Sequence, residues 1–274
     1  MSDFFSNTRP GTKKTTGQVS FDLPILYFRD DFFAAFFTAD AAKVRDLMPS
    51  QRLHPITVSP GRVLVGVGAF NYLETSIGPY GEVGVVVPVI HARRAPPPLI
   101  PALLESRYPG FGNLVLHLPV TQQIARDAGR SEWGYTKFVA DMRFANTPEH
   151  QECELREGGR HILTLRVAKS GIPTKDSRPL VTYSVHRGDL LRTVIPQQGI
   201  ACNALRPQGC FLELGSHEVA VGLRGLRISE RPVLSRYYVE RSGILPAGKV
   251  VEHGVQPLDG YFGKELSASQ VAYH

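Results

Sequence analysis

Two valine-rich runs, Arg62 to Tyr72 (RVLVGVGAFNY) and Glu82 to His91 (EVGVVVPVIH), flank a turn at Gly78-Pro79. β-Branched side chains at this density crowd a helix and fit a pleated sheet. Strand–turn–strand is therefore the unit from which the chain is built, and the same pattern recurs along it. An aromatic-rich stretch, Leu23 to Phe28 and then Phe32 to Phe37, reads as strands packed on both faces. Asn113–Val120, Tyr135–Phe144, Leu180–Val185, Leu190–Ile195, Phe211–Leu214 and Arg236–Glu240 read as further strands. The clearest hairpin is Glu152–Val167, which reverses at Gly158-Gly159 and carries its charges on one wet face.

Helices are few and short. Thr38 and Asp40 offer caps to a helix over Ala41–Met48, stopped by Pro49. Others are expected over Pro101–Tyr108, from Thr121 through Ala128 to a stop at Gly129, and from His217 to Leu226. The 26 Gly and 21 Pro favour turns over long helices. Residues 1–20 are polar and read as a flexible N-terminal arm. No repeat and no long linker divides the remainder, so residues 21–274 read as a single domain. The expected class is α+β, mainly antiparallel, on a sheet or barrel.

Several functions fall away. No apolar run approaches the ~20 residues of a membrane span, and the N-terminus has no secretory signal pattern. The three cysteines form no CxxC pair, which points to a reducing cytoplasm. The nine histidines show no metal-ligand spacing, and no phosphate-binding glycine motif or GxSxG elbow occurs. The net charge of +6 comes from dispersed arginines and a short basic arm, a solvated surface rather than a nucleic-acid face.

The lysines say more. Of 31 basic residues only eight are Lys, and seven of these lie in polar or turn-like settings. Lys137 lies beside the only Trp, in Trp133-Gly134-Tyr135-Thr136-Lys137-Phe138-Val139-Ala140. In an extended segment Lys137 and Phe138 face opposite ways, so one of them faces the core. An amine taken out of water favours its neutral form, a nucleophile for a ketone or aldehyde. On spacing alone a surface lysine is the alternative.

Three segments together resemble the acetoacetate decarboxylase family. They are Phe28 to Asp40 (FRDDFFAAFFTAD) with its following helix, Ile77 to Glu82 (IGPYGE), and Gly134 to Lys137 (GYTK). Their order and separations agree with the family over about residues 20–245. The resemblance implies that Lys137 forms a Schiff base, that Glu82 stands near the imine, and that Arg29 contributes the arginine of the first long strand. Tyr80, Tyr135 and Trp133 beside them become the expected substrate-binding residues. It also implies a cone-shaped, mainly antiparallel β-barrel with short flanking helices, a homo-oligomer, and a reaction on a small keto acid without metal or organic cofactor.

The chain departs from the family pattern at three places. Phe138 stands where the family has a second lysine, and Thr136 replaces a proline. The strand Val63–Gly68 offers no match for a second acidic residue. The implied reaction is decarboxylation of a β-keto acid. An aldolase-dehydratase that joins pyruvate to an aldehyde, and a non-catalytic ligand-binding barrel, are its rivals.

Overall fold

The computed structural model describes residues 3–6, 8, 11–16, 19–98 and 105–264. Strands β1 (Thr12–Thr16) and β2 (Val19–Leu23) precede β3 (Ile25–Asp40), α1 (Ala41–Arg45), β4 (Leu53–Pro55), β5 (Thr57–Ser59), β6 (Arg62–Thr75) and β7 (Tyr80–His91). Then come β8 (Phe111–His117), α2 (Gln123–Trp133), β9 (Asp141–Asn146), β10 (His150–Glu157), β11 (Arg160–Ala168) and β12 (Thr174–Asp176). The chain continues through β13 (Leu180–His186), β14 (Asp189–Ile195), β15 (Gln197–Leu205), β16 (Phe211–Leu214), α3 (Glu218–Gly225), β17 (Leu234–Leu245) and β18 (Lys249–His253). The class is α+β with mainly antiparallel strands, as the sequence led one to expect. Among the described residues only β8 and β13 pair in parallel in a named ladder.

A twelve-stranded sheet runs in the order β12-β15-β17-β3-β6-β7-β8-β13-β14-β18, with β4 beside β7 and β5 beside β6. The closed barrel implied by the family resemblance is not reproduced in the pairing: among the described residues no ladder joins β12 to β18. The sheet curls instead, and Ile244 N of β17 donates to Pro196 O in the β14–β15 connection. A four-stranded sheet, β16-β11-β10-β9, packs against one face of the large one.

Strand periodicity divides the large sheet into two faces. Phe33, Ala35 and Phe37 of β3, with Val65 and Val67 of β6 and Val85 and Val87 of β7, join Leu155, Leu163 and Leu165 of the small sheet in one core. The alternate residues Phe32, Phe36, Phe70, Glu82 and Val86 line a cavity on the other face. Gly66 and Gly68 of β6 lie opposite Phe36 and Ala34 of β3. A β-carbon at Gly66 would fall 2.9 Å from the Phe36 ring, so glycine there lets the ring lie flat over the strand.

Five local expectations change. The aromatic run is one continuous strand, β3. The supposed arm is paired in part: β1 and β2 form an antiparallel hairpin, and Lys14 meets Glu132 of α2 at 3.0 Å. Helix α2 does not stop at Gly129 but runs to Trp133, where Gly134 (φ 66°) caps it in the left-handed region. Tyr135 to Ala140 is therefore not the start of a strand, and β9 begins only at Asp141. That segment lies along residues 118–120, with Leu118 N bonded to Thr136 O and Val120 N to Phe138 O. The helix expected over Pro101–Tyr108 lies partly outside the described residues, and Glu105–Arg107 forms a single 3-10 turn. The Gly158-Gly159 hairpin, the Asp40 cap and the wet face of β10–β11 are found as read.

Candidate active site

Lys137 reaches its position through three contacts. Its carbonyl accepts a hydrogen bond from Arg130 Nε of α2 at 2.7 Å. Its aliphatic stem lies against Gly129 of the same helix, where a β-carbon would fall 2.5 Å from Cδ and Cε. Its ammonium donates to Glu82 Oε2 at 2.6 Å. Glu82 is brought there because β7 bridges to Val120, and Val120 bridges in turn to Val139. Both side chains are nearly inaccessible to solvent, at 5% and 8% exposure. An ion pair this deep needs every lone pair occupied, and Tyr72 donates its hydroxyl to the other carboxylate oxygen at 3.2 Å.

Phe138, one residue on, is buried in the core between the two sheets. The segment is irregular, yet its alternation still turns Lys137 toward the cavity and Phe138 away. A lysine at position 138 would therefore face the core rather than the Lys137 amine.

Aromatic rings frame the amine. Tyr80 and Tyr135 each have ring centres 5.9 Å from Nζ. Tyr27 stacks on Tyr72 and shares a hydroxyl–hydroxyl bond of 3.0 Å with Tyr80. Burial, then the negative charge of Glu82, pushes the Tyr72 phenol well above its ordinary value. Burial likewise pushes Tyr135 up to about 12. These phenols stay protonated and act as hydrogen-bond donors. Tyr135 lines the cavity and bonds Thr182 at 2.7 Å. Trp133 does not line it: its indole donates to Pro246 O and its ring stacks behind Tyr135. Tyr80 flanks the amine from outside the lining.

Arg29 is not in the site. Two register shifts in the β3–β6 ladder flank it and leave its side chain exposed, while Tyr27 and Phe32 on either side face the cavity. The guanidinium in the wall belongs to Arg241 of β17. It is paired with Asp30 Oδ2 at 2.7 Å and donates to Gln197 Oε1 at 2.9 Å. Its Cζ lies 5.2 Å from the centre of Phe70. No motif marks Arg241. It follows Glu240 in a strand expected to end there, and only the pairing of β17 with β3 brings it to Asp30.

The cavity has a volume of about 110 Å³ and mainly apolar walls. Its charged groups are Lys137, Glu82 and Arg241: the first two pair with each other, and Arg241 pairs with Asp30. Burial disfavours the charge on Asp30, and Arg241 opposes that effect. Such a chamber supplies a nucleophilic amine, a carboxylate poised to take its proton, and a dry environment for charge to develop. The described residues contain no group of three or more His, Cys, Asp or Glu placed to hold a metal ion. No helix among them is long and apolar enough to cross a membrane.

Residues 8–253 match the family described as acetoacetate decarboxylase (ADC). Among solved structures the chain is similar to acetoacetate decarboxylase from Legionella pneumophila. Identity is 18%, the TM-score is 0.63, and the match covers 92% of this chain and 94% of that one. A second acetoacetate decarboxylase structure is 17% identical, with a TM-score of 0.64 and coverage of 84% and 90%. The enduracididine biosynthesis enzyme MppR complexed with pyruvate is 12% identical, with a TM-score of 0.59 and coverage of 84% and 91%. At these identities the likeness is one of fold. No curated protein sequence matches the chain.

Proposed function

The chain belongs to the acetoacetate decarboxylase family, and from that premise we propose that it is a Schiff-base lyase acting on a β-keto acid through Lys137. The observation that carries this reading is the 2.6 Å contact between Lys137 Nζ and Glu82 Oε2 inside an apolar cavity.

The steps follow from the geometry. Glu82 takes a proton from Nζ, and the free amine attacks the ketone carbon. The carbinolamine loses water and becomes an iminium ion beside the Glu82 carboxylate. The iminium nitrogen is an electron sink, and the carbon that carries it lies two bonds from the carboxylate carbon. The C–CO₂⁻ bond breaks, its electron pair forms the enamine, and CO₂ leaves. Protonation of the enamine carbon and hydrolysis of the iminium return the ketone and Lys137. The net reaction consumes one proton per molecule of acid. The phenols around Glu82 hold its charge in place without competing as acids.

An aldolase-dehydratase would use the same amine. What favours this second reading is that Glu82 is the sole carboxylate bonded to Nζ among the described residues. A β-keto acid that releases CO₂ supports the first reading. Pyruvate plus an aldehyde giving an unsaturated keto acid supports the second.

Borohydride reduction in the presence of a keto acid, followed by peptide mass analysis, tests the common step. The expected result is an adduct on Lys137 that Lys137→Ala abolishes. No adduct, or equal labelling of Lys137→Ala, overturns the imine and leaves a ligand-binding protein.

A further inference from the structure

The guanidinium in the cavity wall is only partly used by the protein. Nε and Nη1 of Arg241 are committed to Gln197 and Asp30, and Nη2 makes no hydrogen bond among the described residues. Asp30 shows the matching gap: Oδ1 is enclosed and has no hydrogen-bond partner. A buried cation with an idle donor is costly unless something else meets it. A planar guanidinium fits a carboxylate well.

Its location narrows what that partner is. Arg241 stands over Phe70, and Phe70 is directly opposite Glu82 in the β6–β7 ladder. The arginine and the Lys137–Glu82 pair therefore share one wall of the same chamber. Arg241, Phe32 and Phe70 also border an adjoining cavity of about 80 Å³ that carries Arg178, Gln197 and Tyr238. The polar side of the site lies toward that second cavity. The rest of the first chamber is walled mainly by apolar side chains, among them Val86, Val115, Leu118, Ile195 and Leu245.

We infer that Arg241 receives the carboxylate of the substrate, with the ketone at Lys137 and an apolar acyl group against Val86, Leu118, Ile195 and Leu245. This rests on the Schiff-base reading and adds to it the residue that recognises the acid, a role for which the family resemblance offers Arg29. Asp30 has a positioning role, because it fixes the guanidinium plane through one oxygen. It also keeps Arg241 from holding the acid so tightly that loss of CO₂ is hindered.

The test compares a β-keto acid of aliphatic chain with the methyl ketone of the same chain, which lacks only the carboxylate. Total adduct on Lys137 after borohydride reduction is measured against concentration, counted before or after CO₂ loss. Arg241→Gln and the double variant Asp30→Asn/Arg241→Gln are compared with the wild type. The double variant leaves no charge buried alone, so it carries the test if the single one does not fold. The half-saturating concentration of the acid should rise at least about tenfold, and that of the ketone should stay within about twofold. Adducts whose preference for the acid survives both variants overturn the inference alone. Acid and ketone weakened together show a structural arginine and overturn it as well. No wild-type adduct with either compound removes the Schiff-base reading, and this inference with it.

Discussion

Gly129 and Lys137 meet so closely that a β-carbon on the glycine would lie 2.5 Å from both Cδ and Cε of the lysine. The glycine sits inside α2, where it weakens the helix by about 1 kcal/mol relative to alanine. The helix accepts that weakness because the lysine stem occupies the space a methyl group would take.

Gly129→Ala should therefore leave the protein folded and harm its chemistry. The gain in helix propensity offsets part of the ~1–3 kcal/mol expected from overpacking. The lysine stem has to move, which breaks the 2.6 Å contact with Glu82. Trapping of a keto acid should slow by about tenfold or more. A variant that traps at the wild-type rate would show that the close packing has no bearing on the amine.

Glu82→Gln keeps the shape of the side chain but removes the proton acceptor. The rate of imine formation should fall by about 10²–10⁴, while Tyr72→Phe, which removes one bond to Oε1, should cost only several-fold. Single-turnover trapping separates the two. Equal losses would mean that Glu82 acts through packing alone.

Arg29→Ala should change stability by less than about 0.5 kcal/mol, because the side chain is exposed and off the cavity wall. Turnover should stay within about twofold. A large loss would return Arg29 to the site and require β3 to be repaired in another register.

Phe138→Lys would restore the residue that the family pattern carries next to the nucleophile. Phe138 is 1% exposed and sits edge-on to Tyr261, 4.8 Å between ring centres. An ammonium there has no water and faces away from Nζ of Lys137. Thermal unfolding should show a loss of about 3 kcal/mol or more, with no gain in trapping rate. Faster trapping would mean that a cation at this position does reach the amine.

His117, at the end of β8, gives the fold a pH dependence. Burial, then the nearby His217, pushes its imidazole down to about 4 from 6.5. The folded protein keeps it neutral, whereas the unfolded chain binds a proton below about 6.5. The resulting stabilisation is complete above that value and is lost as the pH falls toward 4. The thermal midpoint should drop across this interval, and His117→Gln should flatten the slope. A slope unchanged by the substitution would assign the effect to other groups.

The sequence carried much of this organisation. Alternation along Glu152–Val167 and the Asp40 cap are local effects, and local chemistry is legible in a chain. Lys137 was legible for another reason: a lysine beside Trp133 and Phe138 stands out against seven lysines in polar settings. Arg241 was not legible. Its role depends on a cross-strand neighbour 211 residues away and on the register of β17 against β3. The misreading of Arg29 has the same origin, because side-chain direction in a strand reverses with a one-residue slip. The helical reach of α2 past Gly129 was hidden because glycine signals a stop unless a distant side chain needs its space.

The two faces of β3, β6 and β7 also bear on how such a protein changes over time. Phe33 and Val67 hold the sheets together, while Phe32 and Gly68 beside them border the chamber. A lineage can rewrite the chamber positions and acquire a new substrate without disturbing the positions that hold the fold. An identity of 18% to an enzyme of the same architecture is the kind of divergence that this separation permits.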